Sequence, residues 1–309
     1  MTTFLYSHPA CIEHDPGEYH PERPDRLRAV MAGLEDEKFQ HLHRVEAPLV
    51  DLADVKLVHN AEYVDMIMDN VPSEGRVRLD PDTAMSPKSG EATQRAAGAG
   101  VAAVDAVVAK QAKNAFCAVR PPGHHAESSQ AMGFCLFNSA AAAAFHARAK
   151  HGMERVCVID FDVHHGNGTQ HSFEHVDGLF YGSSHQFPAY PGTGSTSERG
   201  QFGNVCNVPL APGTGSQGFR DGYEEVMLPA IRAFQPELLI ISAGFDAHKN
   251  DPLAQLELET ADYRWVTDKL LDLADEVCDG RVVSMLEGGY DLDALRVSVM
   301  EHVQSLMEH

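Results

Sequence analysis

The stretch Val158-Ile159-Asp160-Phe161-Asp162-Val163-His164-His165-Gly166-Asn167-Gly168-Thr169 decides how this chain is read. The apolar run from Arg155 to Phe161, bounded by Gly152 and by Gly166-Asn167-Gly168, predicts a short buried strand feeding a loop. In an extended chain Asp160, Asp162 and His164 share one side, while Val163 and His165 face the other. Residues two apart lie roughly 6 to 7 Å apart on an ideal strand, so Asp162 and His164 reach one ion only if the chain curls at the strand end, which the glycines permit. Each residue alone has a plainer role, an Asp as a helix cap or a His on the surface. Four ionisable groups within six residues behind an apolar strand are different, because buried carboxylates cost several kcal/mol unless they are paired or bind a metal. The stretch predicts a metal site at a strand end.

Strand and helix signals alternate through all 309 residues without a linker, which predicts one α/β domain over residues 1–309. No run approaches the roughly 20 apolar residues that span a bilayer. Met1 to Cys11 lacks the basic start and apolar core of a signal peptide, so a cytoplasmic location is expected. The six cysteines form no C-x-x-C pair, and no disulfide is expected. With 45 acidic and 24 basic residues, the formal charge of -21 argues against nucleic-acid and membrane partners. It suits cationic substrates such as lysine-bearing peptides or polyamines, and it also suits a general role in solubility.

Further strands are expected at Thr3 to Ser7, Ala115 to Val119, Leu179 to Ser183, Val205 to Pro209, Leu238 to Ser242 and Val282 to Leu286. Helices are expected near Asp25 to Glu37, Asn60 to Asn70, Ser89 to Ala109, up to Ala149, Gln217 to Phe234 and Thr260 to Val277. Four predicted strand ends carry polar residues: His124 and His125; Asp160, Asp162 and His164; Asp246; and Tyr290. In a mostly parallel sheet such ends share the edge where ligands bind. Two carboxylates, one imidazole and an open position suit hydrolytic Zn²⁺, with Fe²⁺, Co²⁺ or Mn²⁺ also accepted; composition does not choose among them.

The motifs Arg120-Pro121-Pro122-Gly123-His124-His125, Gly133-Phe134-Cys135, Asp160 to Thr169, Gly244-Phe245-Asp246 and Leu286-Glu287-Gly288-Gly289-Tyr290 resemble, in order and spacing, those of the zinc-dependent histone deacetylases. The resemblance runs from the loop at His20-Pro21-Glu22 to Tyr290. Asn167 and the Arg-Pro-Pro-Gly start are similar to class II members and their bacterial amidohydrolase relatives. The resemblance implies the arginase/deacetylase fold, a three-layer α/β architecture with an eight-stranded parallel sheet.

It also implies roles. Asp162, His164 and Asp246 would hold Zn²⁺. His125, partnered by Asn167, would act as general base and then acid, and His124, partnered by Asp160, as an electrostatic stabiliser. Tyr290 would donate to the tetrahedral oxyanion. Phe134 and Tyr190 would wall an acyl-lysine tunnel, where most members carry Phe at the second position, and the Gly133 carbonyl would accept the substrate amide N–H. Asp160, the carbonyls of Asp162, His164 and Ser184, and the Ser183 hydroxyl match the family's K⁺ position. Arg26 has two readings, an exit wall for acetate or a structural ion pair.

The implied activity is hydrolysis of N-acyl-lysine in proteins or peptides, with acetylpolyamine hydrolysis as the alternative. A reader of acylated lysine without activity is disfavoured because every catalytic position is intact. A binuclear manganese ureohydrolase is disfavoured because no second aspartate cluster follows His164. Polyamine-selective relatives place Glu at the rim position occupied here by Leu253, which favours peptides.

Overall fold

The computed structural model describes residues 2–309. Its strands are β1 (Phe4–Ser7), β2 (His43–Glu46), β3 (Val77–Asp80), β4 (Thr83–Met85), β5 (Asn114–Cys117), β6 (Val156–Asp160), β7 (Leu179–Gln186), β8 (Val205–Leu210), β9 (Leu238–Ala243) and β10 (Val282–Leu286). The helices are α1 (Pro9–Glu13), α2 (Pro24–Gly33), α3 (Leu52–Val55), α4 (Ala61–Asp69), α5 (Ser89–Val108), α6 (Ser139–His151), α7 (Asn167–Phe173), α8 (Ser216–Gly222), α9 (Leu228–Phe234), α10 (Thr260–Cys278) and α11 (Leu292–Glu308).

Eight strands form one parallel sheet in the order β2-β1-β5-β10-β9-β6-β7-β8. The central strands are buried along their whole length, which is why they read as continuous Val, Ile and Leu runs rather than as alternating ones. The four strands that carry polar ends, β5, β10, β9 and β6, are neighbours, so their C-terminal ends converge on one part of the sheet edge. Helices α5 and α6 can approach closely because their facing residues are Ala and Gly. A Cβ at Gly100 would meet the Ala143 Cβ of α6 at 3.3 Å.

The sheet differs from expectation at its periphery. The edge strand β2 is His43-Arg44-Val45-Glu46, polar and largely exposed, a composition that guards an edge but conceals it from an apolar pattern. The antiparallel pair β3 and β4 was not expected either. The helix expected from Gln217 to Phe234 is interrupted by a π turn at Tyr223–Met227. Pro229, which has no N–H to continue the i to i−4 ladder, lies just beyond it.

Beneath the site edge, Glu22 is fully buried between two fully buried guanidiniums. Arg26 Nη1 donates to Glu22 Oε1 at 2.8 Å, Arg120 Nη2 to Oε2 at 2.7 Å, and Arg120 Nε to Oε1. Arg26 also donates to the carbonyls of Gly289 and Glu287, each at 2.5 Å, which ties the Gly-Gly-Tyr loop to α2. Of the two readings of Arg26, the geometry is that of the ion pair. Burial opposes charge on Glu22, but Arg120, His14 and Arg26 outweigh it and hold the carboxyl well below the usual range. Glu22→Gln, which leaves two buried guanidiniums without their anion, is expected to lower unfolding stability by about 3–5 kcal/mol. Denaturant titration checks this, and a loss under about 0.5 kcal/mol, the level of an ordinary surface change, contradicts it.

Candidate active site

Immediately past β6 the chain curls, and the three residues expected to share a side separate into two tasks. Asp160, the last strand residue, accepts at Oδ2 from Tyr181 Oη at 2.9 Å and meets His124 Nδ1 at 2.9 Å. Asp162 and His164 turn toward Asp246 from the end of β9. His164 Nδ1 lies 3.2 Å from Asp162 Oδ1 and 3.2 Å from Asp246 Oδ2. Their donor atoms all lie within 4.8 Å of one another.

This trio fits a divalent ion on its own chemistry. Both carboxylates are 1% exposed, and among the described residues neither has a Lys or Arg within salt-bridge distance. Their other hydrogen bonds come from neutral amides, Gly288 N and His164 N to Asp162 at 2.8 and 2.9 Å and Val163 N to Asp246 Oδ1 at 2.9 Å, with His124 Nε2 3.8 Å from Asp162 Oδ2. Burial and the neighbouring Asp162 charge raise Asp246 to about 6. Burial disfavours charge on His164, yet hydrogen bonds to Asp162 and Asp246 push it up to about 10. The pocket thus demands positive charge at this point. The space beside the trio is tight: a Cβ at Gly288 would lie 2.2 Å from Asp246 Oδ2, and one at Gly244 2.1 Å from Asp162 Oδ2.

Two adjacent imidazoles face the trio, with ring centroids 4.0 Å apart and opposite surroundings. Burial disfavours charge on His124, but the Asp160 and Asp162 carboxylates raise it well above its ordinary value. Burial, His124 and His164 together push His125 well below. The tautomer of His125 follows from its neighbours. Asn167 Nδ2 donates to the Glu127 carboxylate at 2.5 Å, so Asn167 Oδ1 faces His125 Nδ1 at 2.8 Å. An amide oxygen only accepts, so Nδ1 carries the hydrogen and Nε2 keeps its lone pair. The two rings thus diverge, His124 favoured as a cation and His125 as a neutral imidazole.

Tyr290 closes the opposite side. Its N–H is held by Asp251 Oδ2 at 2.6 Å, and its ring lies over the Arg26 guanidinium at 4.8 Å from the centroid. Burial raises the phenol well above its ordinary value, with the Asp246 and Asp162 charges adding to the rise and Arg26 opposing it, so the hydroxyl remains a donor. A cavity of about 170 Å³ opens between His125, His164 and Tyr290, with Gly133, Phe134, Tyr190, Leu253 and Asp82 completing its wall. Phe134 meets Tyr290 edge-on at 5.8 Å, and Tyr190 meets His125 edge-on at 5.2 Å. Gly133 and Phe134 both take left-handed backbone angles, and a Cβ on Gly133 would strike the His125 ring at 2.4 Å, so only glycine fits there. The Gly133 carbonyl accepts from the Cys135 thiol at 3.2 Å and retains a second lone pair. Tyr190 and Leu253 are the exposed members, 42% and 37%. Ser183 pairs in register with Asp160 across β6 and β7; its Oγ meets His185 Nδ1 at 2.9 Å, and Ser184 Oγ meets Tyr223 Oη at 3.3 Å.

Four contributors escaped the sequence reading. Glu287 accepts from Gly123 N at 2.7 Å and from Ser242 Oγ at 3.1 Å, pinning the His-His loop to β9 and β10. Asp251 holds the amides of Tyr290 and Leu253. Glu127 fixes Asn167, and Asp82, in the turn between β3 and β4, holds Gly133 N at 3.2 Å. Glu287 lies within a quoted motif; the others carry no spacing that marks them.

Comparison with known proteins agrees with this geometry. The histone deacetylase domain matches residues 20–306. The chain is 38% identical over 323 residues to the chloroplastic histone deacetylase 14 of Arabidopsis thaliana, covering 98% of this chain and 76% of that one. It is 35% identical to the human polyamine deacetylase HDAC10, covering 99% of this chain and 46% of that one. The crystal structure of the HDA15 HD domain superposes with a TM-score of 0.93 at 35% identity, covering 100% of this chain and 90% of that one. The chain belongs to the histone deacetylase family, a family of generally metal-dependent deacetylases, and has its arginase/deacetylase fold. No helix among the described residues is long and apolar enough to cross a membrane.

Proposed function

We propose that the chain is a zinc-dependent hydrolase that removes the acyl group from Nε-acyl-lysine in peptides or proteins. The observation that carries the reading is a cavity lined by His125, His164 and Tyr290, with the Asp162 and Asp246 carboxylates grouped against His164 and the Nε2 of His125 free to accept. Asp162, His164 and Asp246 would hold the ion, which when bound supplies Lewis acidity toward a water and the acyl carbonyl. Fe²⁺ or Co²⁺ suits the same donors.

The chain's own residues supply the remainder. His125 Nε2 takes a proton from the attacking water and returns it to the departing amine, which is too poor a leaving group as an anion at neutral pH. Asn167, fixed by Glu127, keeps His125 in the required tautomer. His124, held cationic by Asp160, favours negative charge developing beside it. Tyr290 donates to the oxyanion. Phe134 and Tyr190 admit a thin aliphatic chain between aromatic walls, and the Gly133 carbonyl accepts the substrate N–H. Asp160, Asp162, His164, Ser183 and Ser184 would hold a structural K⁺ through the hydroxyl of Ser183, a side chain of Asp160 and three carbonyls. Residues 1–309 would act as one catalytic domain in the cytoplasm.

Acetylpolyamine hydrolysis is the second reading. One observation favours it: the Asp82 carboxylate belongs to the cavity wall, where it would attract a cation. Leu253 on the rim opposes it, since it offers apolar contact where a carboxylate would pair with a distant ammonium for roughly 1 to 3 kcal/mol.

Tyr290→Phe is expected to lower kcat about 10²- to 10³-fold with metal content and folding unchanged, because only a transition-state hydrogen bond is lost. Steady-state kinetics with metal analysis checks this, and an unchanged kcat reduces Tyr290 to packing. Acetyl-lysine peptides are expected to give higher kcat/KM than acetylspermidine or acetylputrescine when assayed side by side, with Leu253→Glu narrowing or reversing the ratio. A preference of the unaltered protein for acetylpolyamines by about tenfold, some 1.4 kcal/mol in the transition state, would instead select the second reading.

A further inference from the structure

A second group of ligand-type side chains lies at the far end of α6. That helix begins beside the active site, where its cap Asn138 donates to Thr169 Oγ1 at 3.0 Å, and its 13 residues carry it about 20 Å away to His151. There His146 Nε2 lies 2.9 Å and His151 Nε2 2.6 Å from the same oxygen, Oδ1 of Asp105 on α5. The other ring nitrogen of His146 lies 2.9 Å from Asp54 Oδ1 on α3. The donor atoms of Asp105, His146 and His151 are all within 4.8 Å of one another.

We propose that Asp105, His146 and His151 form a second divalent-metal site, with Asp54 orienting one of the ligands. A neutral imidazole has a single N–H, so His146 can donate to one carboxylate only, yet both of its nitrogens face one. A second proton, making His146 an imidazolium between the two carboxylates, would satisfy both contacts; a metal ion at Nε2 does so too and also accounts for His151 Nε2 on the same Asp105 oxygen. The His146 Nδ1–H then donates to Asp54, and the lone pairs of both Nε2 atoms and an oxygen of Asp105 point at the ion. That is the carboxylate–histidine–metal arrangement by which proteins fix the tautomer and raise the basicity of a ligating His. Two imidazoles with one carboxylate select Zn²⁺, Co²⁺ or Ni²⁺ over Mg²⁺ or Ca²⁺.

The geometry adapts with little movement. Tetrahedral Zn²⁺ with bonds of about 2.0–2.2 Å spaces its ligands about 3.4 Å apart, so the present contacts open by under about 1 Å. His146 is buried and preset, whereas the Asp105 side chain is 49% exposed and His151 is the last residue of α6, followed by the left-handed Gly152. These two can shift, and the open side of Asp105 leaves the fourth position to water. Bound metal would fasten α5 to α6 directly, and α3 to both through Asp54.

The test uses the full chain, stripped of metal and brought to equilibrium by dialysis against a micromolar Zn²⁺ buffer, with metal per chain counted. The wild type is expected to hold one equivalent more than His151→Gln or Asp105→Asn, and Zn²⁺ is expected to raise its melting temperature more than theirs. Deacetylase kcat is expected to stay within about twofold in both variants, since a metal-free local role leaves it likewise untouched and the count decides. Both substitutions are at partly exposed side chains, and matched metal-free melting curves establish that the variants fold. An equal zinc count in all three proteins overturns the proposal. Because the readout is a difference between wild type and variants, an error in assigning the active-site ligands alters the absolute count without altering this difference.

Discussion

Buried negative charge at one edge of the sheet is the constraint on which the rest of the structure depends. Asp160, Asp162, Asp246, Asp251 and Glu287 all lie within the ends of β6, β9 and β10 or the loops that follow, and none is more than 7% exposed. Each would cost several kcal/mol if left unpaired. The chain answers mostly with backbone amides. Glu287 gathers those of Gly123 and His124, Asp251 those of Leu253, Tyr290 and Asp291, Asp162 those of His164 and Gly288, and Asp246 that of Val163. These carboxylates therefore shape the loops, and the loops carry the imidazoles and the phenol. What amides do not neutralise falls to His124, to His164 and, on the proposed reading, to a divalent ion.

A second layer holds the first in place. Arg26 reaches from α2 to two carbonyls of the loop before Tyr290 and stacks under its ring, while Glu22 holds Arg26 and Arg120 together. Tyr290 is thus fixed from beneath by a cation and from its amide by Asp251, and it lines the cavity. A phenol held this rigidly loses little freedom when it donates to a developing oxyanion, which is the sense in which such donors are preorganised. The same layer explains why Arg26 is spent on structure rather than on a channel wall.

The centre of the fold was legible because central parallel strands are short, wholly apolar and end abruptly. The strands from β5 to β10 were expected within one or two residues, except that β7 runs three residues past Ser183 to Gln186, and the site residues sit where strand ends in one parallel sheet must lie. The assignment of those residues rested on the family's motif series, since spacing alone did not separate Asp160, which contacts His124, from Asp162, which faces His164 and Asp246. The edge strand β2 escaped because it is polar and brief, and the pair β3 and β4 because its strands are only four and three residues long. Glu22 and Arg120 each stand in a quoted motif, but nothing in the sequence pairs them across 98 residues. Glu127 and Asp82 act through Asn167 and Gly133, so their purpose appears only once the tertiary contacts are known.

The central claim is that Asp162, His164 and Asp246 share one zinc ion that compensates the buried charge. The most direct measurement is anomalous diffraction above and below the zinc absorption edge from crystals of catalytically active protein. The account predicts a zinc-specific peak at bonding distance from the carboxylates of Asp162 and Asp246 and from His164 Nδ1. Active crystals with no metal peak among these three residues would contradict it.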